Sequence, residues 1–340
     1  MSDIDIRIAG RAGRITLTRP KALNSLTFDM AMAMEAALKH WAGDDRVKVV
    51  VIDAEGDRAF CAGGDIQQLY DTGKAGDFAY GQTFWRDEYR LNARLAEYPK
   101  PVVSFMQGFT MGGGVGVGCH ARHRIVDDST QIAMPECGIG LVPDVGGSLL
   151  LARAPGRLGA YLGLTAARMG PGDAIRAGFA DRHVPRDQWP ALIAGLEATG
   201  DVTALPGSTA GLPMPLADAQ DQIDAAFAGD LGQIMERLAG MEGDFAAQTL
   251  KALRRNSPLA MAVTLAMLDQ LAGVTDIRDA LRLEYRFTAR AMEHGDFLEG
   301  IRAQIIDKDR NPQWKHDVVS QAEVQAMLAP LPQDLTFEEE

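Results

Sequence analysis

The sequence MGGGVGVG at residues 111–118 follows an apolar run and precedes two acidic residues that each stand beside a proline in a glycine-containing loop. One of them, Glu136, lies in MPECG at 134–138, and the other, Asp144, lies in LVPDVGG at 141–147. Glycines that directly follow a strand allow backbone N–H groups to approach a ligand closely, because no Cβ stands in the way. Oriented N–H groups followed by two carboxylates predict chemistry on a carbonyl group.

Strands and helices are predicted to alternate around this glycine-rich segment. Apolar runs at 47–52 and 101–106 predict buried strands, and Thr27 is expected to cap the helix that follows it. Alternation up to about residue 133 indicates an α/β core. Further strands are predicted at 4–8, 14–18 and 122–126, and further helices at 82–97, 145–153, 157–163, 172–177, 187–198, 218–240, 243–255, 258–272 and 276–293.

The composition argues against several classes of protein. The chain has 340 residues, of which 46% are hydrophobic and 24% are charged, so it can bury a sizeable core. A formal net charge of -12 without a basic run argues against binding to nucleic acid. No apolar run approaches membrane-spanning length, and the N-terminus lacks a secretory signal pattern. We therefore expect no membrane association.

The cysteines and histidines form no recognisable disulfide or metal pattern. Cys61, Cys119 and Cys137 are too few and too scattered for a disulfide framework, so a reducing, cytoplasmic location is expected. His120 and His123 could share a helix face, but no matching Cys, Asp or Glu set accompanies them. We therefore expect no metal site.

Two glycine-rich loops are candidates for binding an oxyanion through backbone N–H groups. In the first, CAGGD, the N–H of Gly64 would point at a substrate oxygen; alternatively, the loop is a plain turn in which Asp65 caps the next helix. In the second, the N–H of Gly113 has the same candidate role. Gly116 and Gly118 are also compatible with close packing of another backbone segment. Neither loop has the G-x-G-x-x-G spacing of a dinucleotide site.

Glu136 and Asp144 are the candidate acid–base residues. A reaction at a carbonyl group needs a side chain that activates water or moves a proton, and burial or a like-charged neighbour can adjust its pKa. Alternatively, Asp144 caps the helix at 145–153 and Glu136 is a hydrogen-bonded loop residue. Glu88, by itself, would be interpreted as a solvated charge on the helix at 82–97. The absence of a Gly-x-Ser-x-Gly motif argues against a serine hydrolase of the α/β type.

The chain resembles the enoyl-CoA hydratase/isomerase (crotonase) superfamily and, within it, the 3-hydroxyisobutyryl-CoA hydrolases. The resemblance extends over residues 10–316, and its most specific part is MPECGIGLVPDVGG at 134–147. The other matching segments are RPKALNSL at 19–26, FCAGGDI at 60–66, MGGGVG at 111–116, DFLEGIRA at 296–303, IDKD at 306–309 and PQW at 312–314.

This resemblance implies a fold and a set of site residues. The fold would be an α/β spiral core of ββα units at residues 1–200, with a helical C-terminal region at 201–340 covering the active site. The N–H groups of Gly64 and Gly113 would form an oxyanion hole for the thioester carbonyl of an acyl-CoA. Lys21 would contact a CoA phosphate or be a simple exposed lysine. The residues implied near CoA are Lys21, Ala22, Leu23, Ala62, Asp65 and Ile66.

One departure from the hydratase pattern favours the hydrolases. A typical hydratase of the superfamily has one glutamate just after the glycine triplet and another in the Pro-Glu segment. Here the first position is Gly116, so only Glu136 remains, and Asp144 stands where many hydratases have a small residue. The resemblance also assigns Glu88 to substrate contact. The implied activity is hydrolysis of 3-hydroxyisobutyryl-CoA, or of a close β-hydroxyacyl-CoA, which is a step of valine breakdown.

Several alternatives stay open at this point. Glu136 would either activate water or attack the carbonyl itself, and Asp144 would assist proton transfer to sulfur or position the β-hydroxyl. The competing functions are another crotonase reaction, such as enoyl-CoA hydration or isomerisation, and a catalytically silent acyl-CoA-binding subunit. No metal or redox cofactor is implied, because CoA belongs to the substrate and the thioester has a good leaving group. A homo-oligomer is possible, since the superfamily often forms trimers or pairs of trimers.

Overall fold

The computed structural model describes residues 3–207, 209 and 211–337. The chain packs as two compact units, each assembled from separate stretches of sequence. The first unit comprises Met1–Asp65, Asp87–Ala133 and Arg168–Pro215. The second unit comprises Ile66–Arg86, Met134–Ala167 and Leu216–Glu340.

The strands of the first unit form two sheets. Their bounds are β1 Ile4–Ala9, β2 Ala12–Leu17, β3 Val49–Ala54, β4 Ala59–Cys61, β5 Val102–Met106, β6 Phe109–Met111, β7 His123–Val126, β8 Gln131–Ala133 and β9 Arg182–His183. The larger sheet has the order β1-β2-β3-β5-β7-β9, and the smaller sheet has the order β4-β6-β8. β1 and β2 are antiparallel, and the other pairs are parallel.

From β3 to β8, consecutive strands alternate between the two sheets, which is the repeat expected of a ββα spiral. β3, β5 and β7 join the larger sheet, and the short strand after each of them, β4, β6 or β8, joins the smaller one. The prediction of a crotonase-like α/β core is therefore confirmed. The sequence pattern did not reveal the short strands, because three residues are too few to show an alternation of apolar and polar side chains.

The helices complete both units. Their bounds are α1 Phe28–Ala42, α2 Gln67–Lys74, α3 Phe78–Ala96, α4 Gly113–Gly118, α5 Gly147–Arg153, α6 Leu158–Thr165, α7 Pro171–Arg176, α8 Trp189–Thr199, α9 Pro215–Asp218, α10 Gln220–Ala226, α11 Leu231–Gly240, α12 Asp244–Leu253, α13 Pro258–Gln270, α14 Ile277–Ala291, α15 Phe297–Ile301 and α16 Gln321–Leu328. Arg302–Ile306 adds a π-helical turn after α15. No helix among the described residues is both long and apolar enough to cross a membrane.

The core of the first unit lies between the larger sheet and α8. Val49 and Val51 of β3 and Phe105 of β5 belong to one buried cluster with Trp189 and Leu196 of α8. The rings of Phe105 and Trp189 have centroids 5.2 Å apart. Strands of a parallel sheet that are covered on both faces read as continuous apolar runs, which is why β3 and β5 could be predicted from the sequence.

α1 begins as the sequence predicts. The side chain of Thr27 accepts a hydrogen bond from the backbone N–H of Met30 at 3.2 Å. The buried face of the helix includes Met34, Leu38 and Trp41, at the spacing of an amphipathic helix.

The predicted division at residue 200 does not match the way the chain packs. The stretch Met134–Ala167 belongs to the second unit, because its helices α5 and α6 pack against α13. Conversely, the first unit continues to Pro215. Some terminal residues of the two predicted ranges, 1–2 and 338–340, lie outside the described residues.

A single predicted helix at 218–240 is divided in the structure. α10 ends at Ala226, and α11 begins at Leu231. Gly229 has a φ of +79°, and Asp230 caps α11 by accepting a hydrogen bond from Gln233 N at 2.9 Å. The side chain of Gln233 accepts one from Asp230 N in return. This capping box starts a new helix in a stretch whose apolar spacing resembles one long helix.

Candidate active site

In the first unit, Gly64 and Gly113 lie side by side. The backbone N of Gly64 is 3.3 Å from the point where a Cβ on Gly113 would stand. Gly113 opens α4 directly after Gly112, whose φ is +48°. Among the described residues, neither N–H donates a backbone hydrogen bond. The two predicted oxyanion donors are thus brought together with their N–H groups available.

The backbone around Gly64 explains why its N–H is available. Leu26 N donates to Gly63 O at 2.9 Å, and Asp65 N donates to Leu26 O at 2.8 Å. These bonds therefore use backbone groups of the residues before and after Gly64, and not the Gly64 N–H. Asp65 does not cap α2: the capping position is Ile66, and it makes no side-chain cap. The Asp65 carboxylate instead contacts Arg19 at 3.2 Å. The interpretation of this loop as a turn capped by Asp65 is therefore wrong.

Other glycines of the MGGGVGVG segment have a packing role. A Cβ on Gly114 would collide with the backbone oxygen of Cys61, and one on Gly118 would lie 2.7 Å from Met106 Sδ and 2.8 Å from a ring carbon of Phe60. Gly118 is therefore closely packed, but against side chains rather than against the backbone segment that was predicted; the close approach of a backbone occurs at Gly114.

Glu88 is buried beside the two oxyanion glycines. Its side chain is only 3% exposed, and Oε1 lies 3.1 Å from the Cβ position of Gly113. The interpretation as a solvated helical charge is therefore wrong. Packing therefore places the Glu88 carboxyl group next to the Gly113 backbone.

The residues implied near CoA lie mostly on two adjoining loops of the first unit. Lys21 and Ala22 are exposed on a 3-10 turn, and Leu23 follows with a φ of +52°. Ala62 N donates to Leu23 O at 3.0 Å, which joins this turn to the Gly64 loop. Ile66 belongs to the second unit, at the start of α2. The exposure of Lys21 fits both of its predicted interpretations.

In the second unit, Glu136 is a buried carboxyl group. It begins a 3-10 turn, Glu136–Ile139, and is 4% exposed. Its Oε2 has no hydrogen-bond partner within the described part of the chain. Burial raises its pKa well above the ordinary value, and the charges of Asp144 and Glu284 raise it further. A carboxylate with a raised pKa is a stronger base, so Glu136 is suited to proton transfer.

Asp144 is buried at a sharp corner before α5. It is 5% exposed, and its backbone oxygen accepts a hydrogen bond from Gly147 N at 2.7 Å. Val145 and Gly146 follow with φ values of +53° and +78°, and α5 begins only at Gly147. The capping position is Gly146, so the interpretation of Asp144 as the helix cap is wrong.

Sequence reasoning missed a third buried acid, Glu284 of α14. Its carboxyl group is fully buried and accepts hydrogen bonds from Gly146 N at 2.8 Å, from Ser148 N at 3.2 Å and from Ser148 Oγ. Burial raises its pKa to about 8, with a smaller contribution from the charge of Asp144. The signal in the sequence is that Glu284 continues the buried stripe of α14 that begins at Ile277.

The late segment with family resemblance holds the loop that follows Glu136. Gly140 has a φ of +74° and lies against Asp296, where a Cβ would meet the Asp296 backbone. Gly300 lies equally close to the backbone of Ile139. Asp296 also accepts a hydrogen bond from Ser257 Oγ at 2.7 Å. The segment at 296–303 therefore supports the 3-10 turn that carries Glu136.

The three cysteines of the chain are free and buried. Among the described residues, no group of three or more His, Cys, Asp or Glu side chains is arranged to hold a metal ion.

The chain is similar to proteins named as hydrolases and to structures named as hydratases. The 3-hydroxyisobutyryl-CoA hydrolase, mitochondrial, of Danio rerio is 38% identical over 92% of this chain and 85% of its own length. The human protein of the same name is 36% identical over 90% of this chain and 82% of its own length.

Two solved structures superpose closely. An enoyl-CoA hydratase from Rhodobacter sphaeroides is 62% identical, with a TM-score of 0.97 over 99% of this chain and 100% of its own. A carnitinyl-CoA dehydratase from Mycobacterium thermoresistibile is 41% identical, with a TM-score of 0.95 over the whole of both chains. The family model described as enoyl-CoA hydratase/isomerase matches residues 12–329. The chain therefore belongs to the enoyl-CoA hydratase/isomerase family.

Proposed function

We propose that the protein hydrolyses the thioester of 3-hydroxyisobutyryl-CoA, or of a close β-hydroxyacyl-CoA, to the free acid and CoA. The observation that carries this proposal is the pair of available N–H groups on Gly64 and Gly113, with Glu88 next to them. Two donors aimed at one oxygen stabilise the negative charge that develops when a thioester carbonyl is attacked. The names of the relatives at 36–39% identity support the choice of acyl group.

The catalytic step needs a base or a nucleophile, which the proposal assigns to Glu136. In one route, Glu136 takes a proton from water, and the hydroxide adds to the carbonyl carbon. In the other, the Glu136 carboxylate adds to that carbon itself, departure of the CoA thiolate gives a mixed anhydride, and water then hydrolyses the anhydride to the free acid and Glu136. In both routes, the tetrahedral intermediate collapses by breaking the C–S bond. Asp144 assists delivery of a proton to the departing sulfur or holds the β-hydroxyl of the substrate.

Hydroxylamine distinguishes the two routes. An anhydride on Glu136 would react with hydroxylamine to leave a hydroxamate on that side chain, which mass spectrometry of a peptide digest detects. The water route predicts no modified Glu136 and an unmodified acid as the product.

Enoyl-CoA hydration is the second candidate, because the solved structure at 62% identity is named as a hydratase. Against it, the position expected for a second glutamate is Gly116, which is buried in α4 and brings no carboxyl group. Addition of water across a double bond would therefore lack one of the two acids typical of that reaction. Asp144, which stands where many hydratases have a small residue, fits the hydrolase arrangement better.

A thiol-release assay on a panel of acyl-CoAs tests the proposal. We expect free thiol from 3-hydroxyisobutyryl-CoA, and less from isobutyryl-CoA, which lacks the hydroxyl group. Loss of enoyl thioester absorbance without thiol release would support the hydratase instead. Tight binding of CoA esters with neither signal would support a catalytically silent subunit.

The proposal includes the cellular setting. We propose that the reaction is part of valine breakdown, takes place in a reducing compartment such as the cytoplasm, and needs no metal or redox cofactor. A homo-oligomer is compatible with it. Chelator-treated enzyme should keep full activity, and size-exclusion chromatography with light scattering gives the oligomeric state.

A further inference from the structure

Glu284 binds the first turn of α5 from a distant part of the chain. Gly146 N donates to Oε2, and Ser148 N donates to Oε1, which joins residues separated by up to 138 positions. α5 has no cap of its own, because the capping residue is Gly146 and has no side chain. Both carboxyl oxygens of Glu284 therefore satisfy N–H groups that a helix start otherwise leaves without a partner.

This hydrogen bonding holds a corner of unfavourable backbone geometry. Val145 has a φ of +53°, which is rare for a β-branched residue because its side chain collides with the backbone. Such a conformation persists only where the surrounding structure imposes it. Gly146 is bound by Glu284 on one side of Val145, and on the other side Asp144 O accepts from Gly147 N. The Glu284 contact thus holds the backbone that directly follows Asp144.

Ionisation of the acid at this place is costly for stability. Glu284 is fully buried, and the negative charge of Asp144 opposes its ionisation. Departures from the most stable arrangement concentrate at functional sites.

We propose that Glu284 is a positioning residue of the thioester site, which acts by fixing the Asp144–Gly147 corner and thereby the Asp144 carboxylate. This inference rests on the proposed function, since it assigns Asp144 a part in the reaction. Glu284 itself contacts no reacting atom and transfers no proton in the proposal.

Glu284→Gln is the variant that tests the inference. Glutamine has the same size but only one oxygen, so one of the two N–H groups at the helix start would face an NH2 group. We expect kcat to fall by about tenfold or more and KM to change by less than about threefold, because a small misplacement of a reacting group is costly in rate. Asp230→Ala is the matched control: it removes the cap of α11 in the same unit and should lower stability without lowering kcat.

A double-mutant cycle separates positioning from a purely structural role. If Glu284 acts through Asp144, Glu284→Gln should reduce kcat by less than about threefold in an Asp144→Asn background, since the two residues then share one effect. Equal fold losses in both backgrounds would overturn the inference, as would an unchanged kcat in the folded single variant. Should Glu284→Gln not fold, Ser148→Ala removes only the hydroxyl donor and is compared in the same two backgrounds, where a loss confined to the Asp144 background is expected.

The outcome is separable from that of the proposed function. Wild-type enzyme that releases no thiol but consumes an enoyl thioester would refute hydrolysis. The same cycle, run on the enoyl reaction, would then still decide whether Glu284 positions Asp144.

Discussion

Gly113→Ala should block the oxyanion hole while leaving the fold intact. The added methyl group would lie 3.1 Å from Glu88 Oε1 and 3.3 Å from Gly64 N. These distances are short but require shifts of only a few tenths of an ångström, and the φ of Gly113 is not in the left-handed region. Alanine is also the better helix former, so we expect the free energy of unfolding to change by no more than about 1 kcal/mol.

The effect on catalysis should be much larger. The methyl group would lie 3.3 Å from Gly64 N, next to one of the two donors that the proposed function assigns to the developing oxyanion. Loss of one donor from an oxyanion hole costs about 10²–10³ in rate, or roughly 2.7–4 kcal/mol of transition-state stabilisation. We therefore expect kcat/KM for thiol release to fall by about that factor, with the loss mainly in kcat.

Two matched glycine variants serve as controls in the same assay. Gly195→Ala lies within α8, where a Cβ would have no neighbour within 4 Å, and should leave activity unchanged. Gly114→Ala would collide with the backbone of Cys61 and should lower the thermal unfolding temperature strongly. The reasoning is refuted if Gly113→Ala unfolds at the wild-type temperature and keeps kcat/KM within about threefold of wild type.

Four further predictions concern the buried acids. Glu136→Gln should reduce kcat by at least about 10²-fold and change KM far less, as steady-state kinetics will show; near-normal turnover would remove Glu136 from the mechanism. Because the pKa of Glu136 is raised, the acidic limb of the kcat/KM profile should lie at a higher pH than an ordinary glutamate would give. Asp144→Asn removes a charge that raises this pKa, so it should shift the acidic limb to lower pH. The Glu284 pKa of about 8 lies above its ordinary value of 4.5, so its contribution to stability is complete below pH 4.5 and is lost as the pH rises towards 8. Unfolding temperatures measured across this range should therefore vary less for Glu284→Gln; an equally steep dependence would contradict the assignment. Glu88→Gln should lower kcat/KM about tenfold for 3-hydroxyisobutyryl-CoA and less for isobutyryl-CoA, and equal losses on both would argue against a contact with the hydroxyl group.

Local patterns account for the parts of the fold that were predicted correctly. β3 and β5 are continuous apolar runs, and α1 combines a threonine cap with apolar residues at helical spacing. The glycine loops and the acids at 136 and 144 could also be recognised as candidates. The glycines allow close approach of a carbonyl group, and the acids can transfer a proton. Interactions between residues that are close in sequence produce patterns that can be recognised in the sequence.

Interactions between residues that are far apart in sequence produce no such pattern, and only the tertiary structure determines them. The position of Glu88 in a predicted helix suggested a solvated charge, whereas tertiary packing buries it beside Gly113. In the same way, the helix start after Asp144 is capped by Glu284, which lies 138 positions from Gly146. Burial and long-range hydrogen bonds depend on which segments the folded chain brings together, so the sequence by itself determined the chemical groups of the site, and the tertiary structure decided their surroundings.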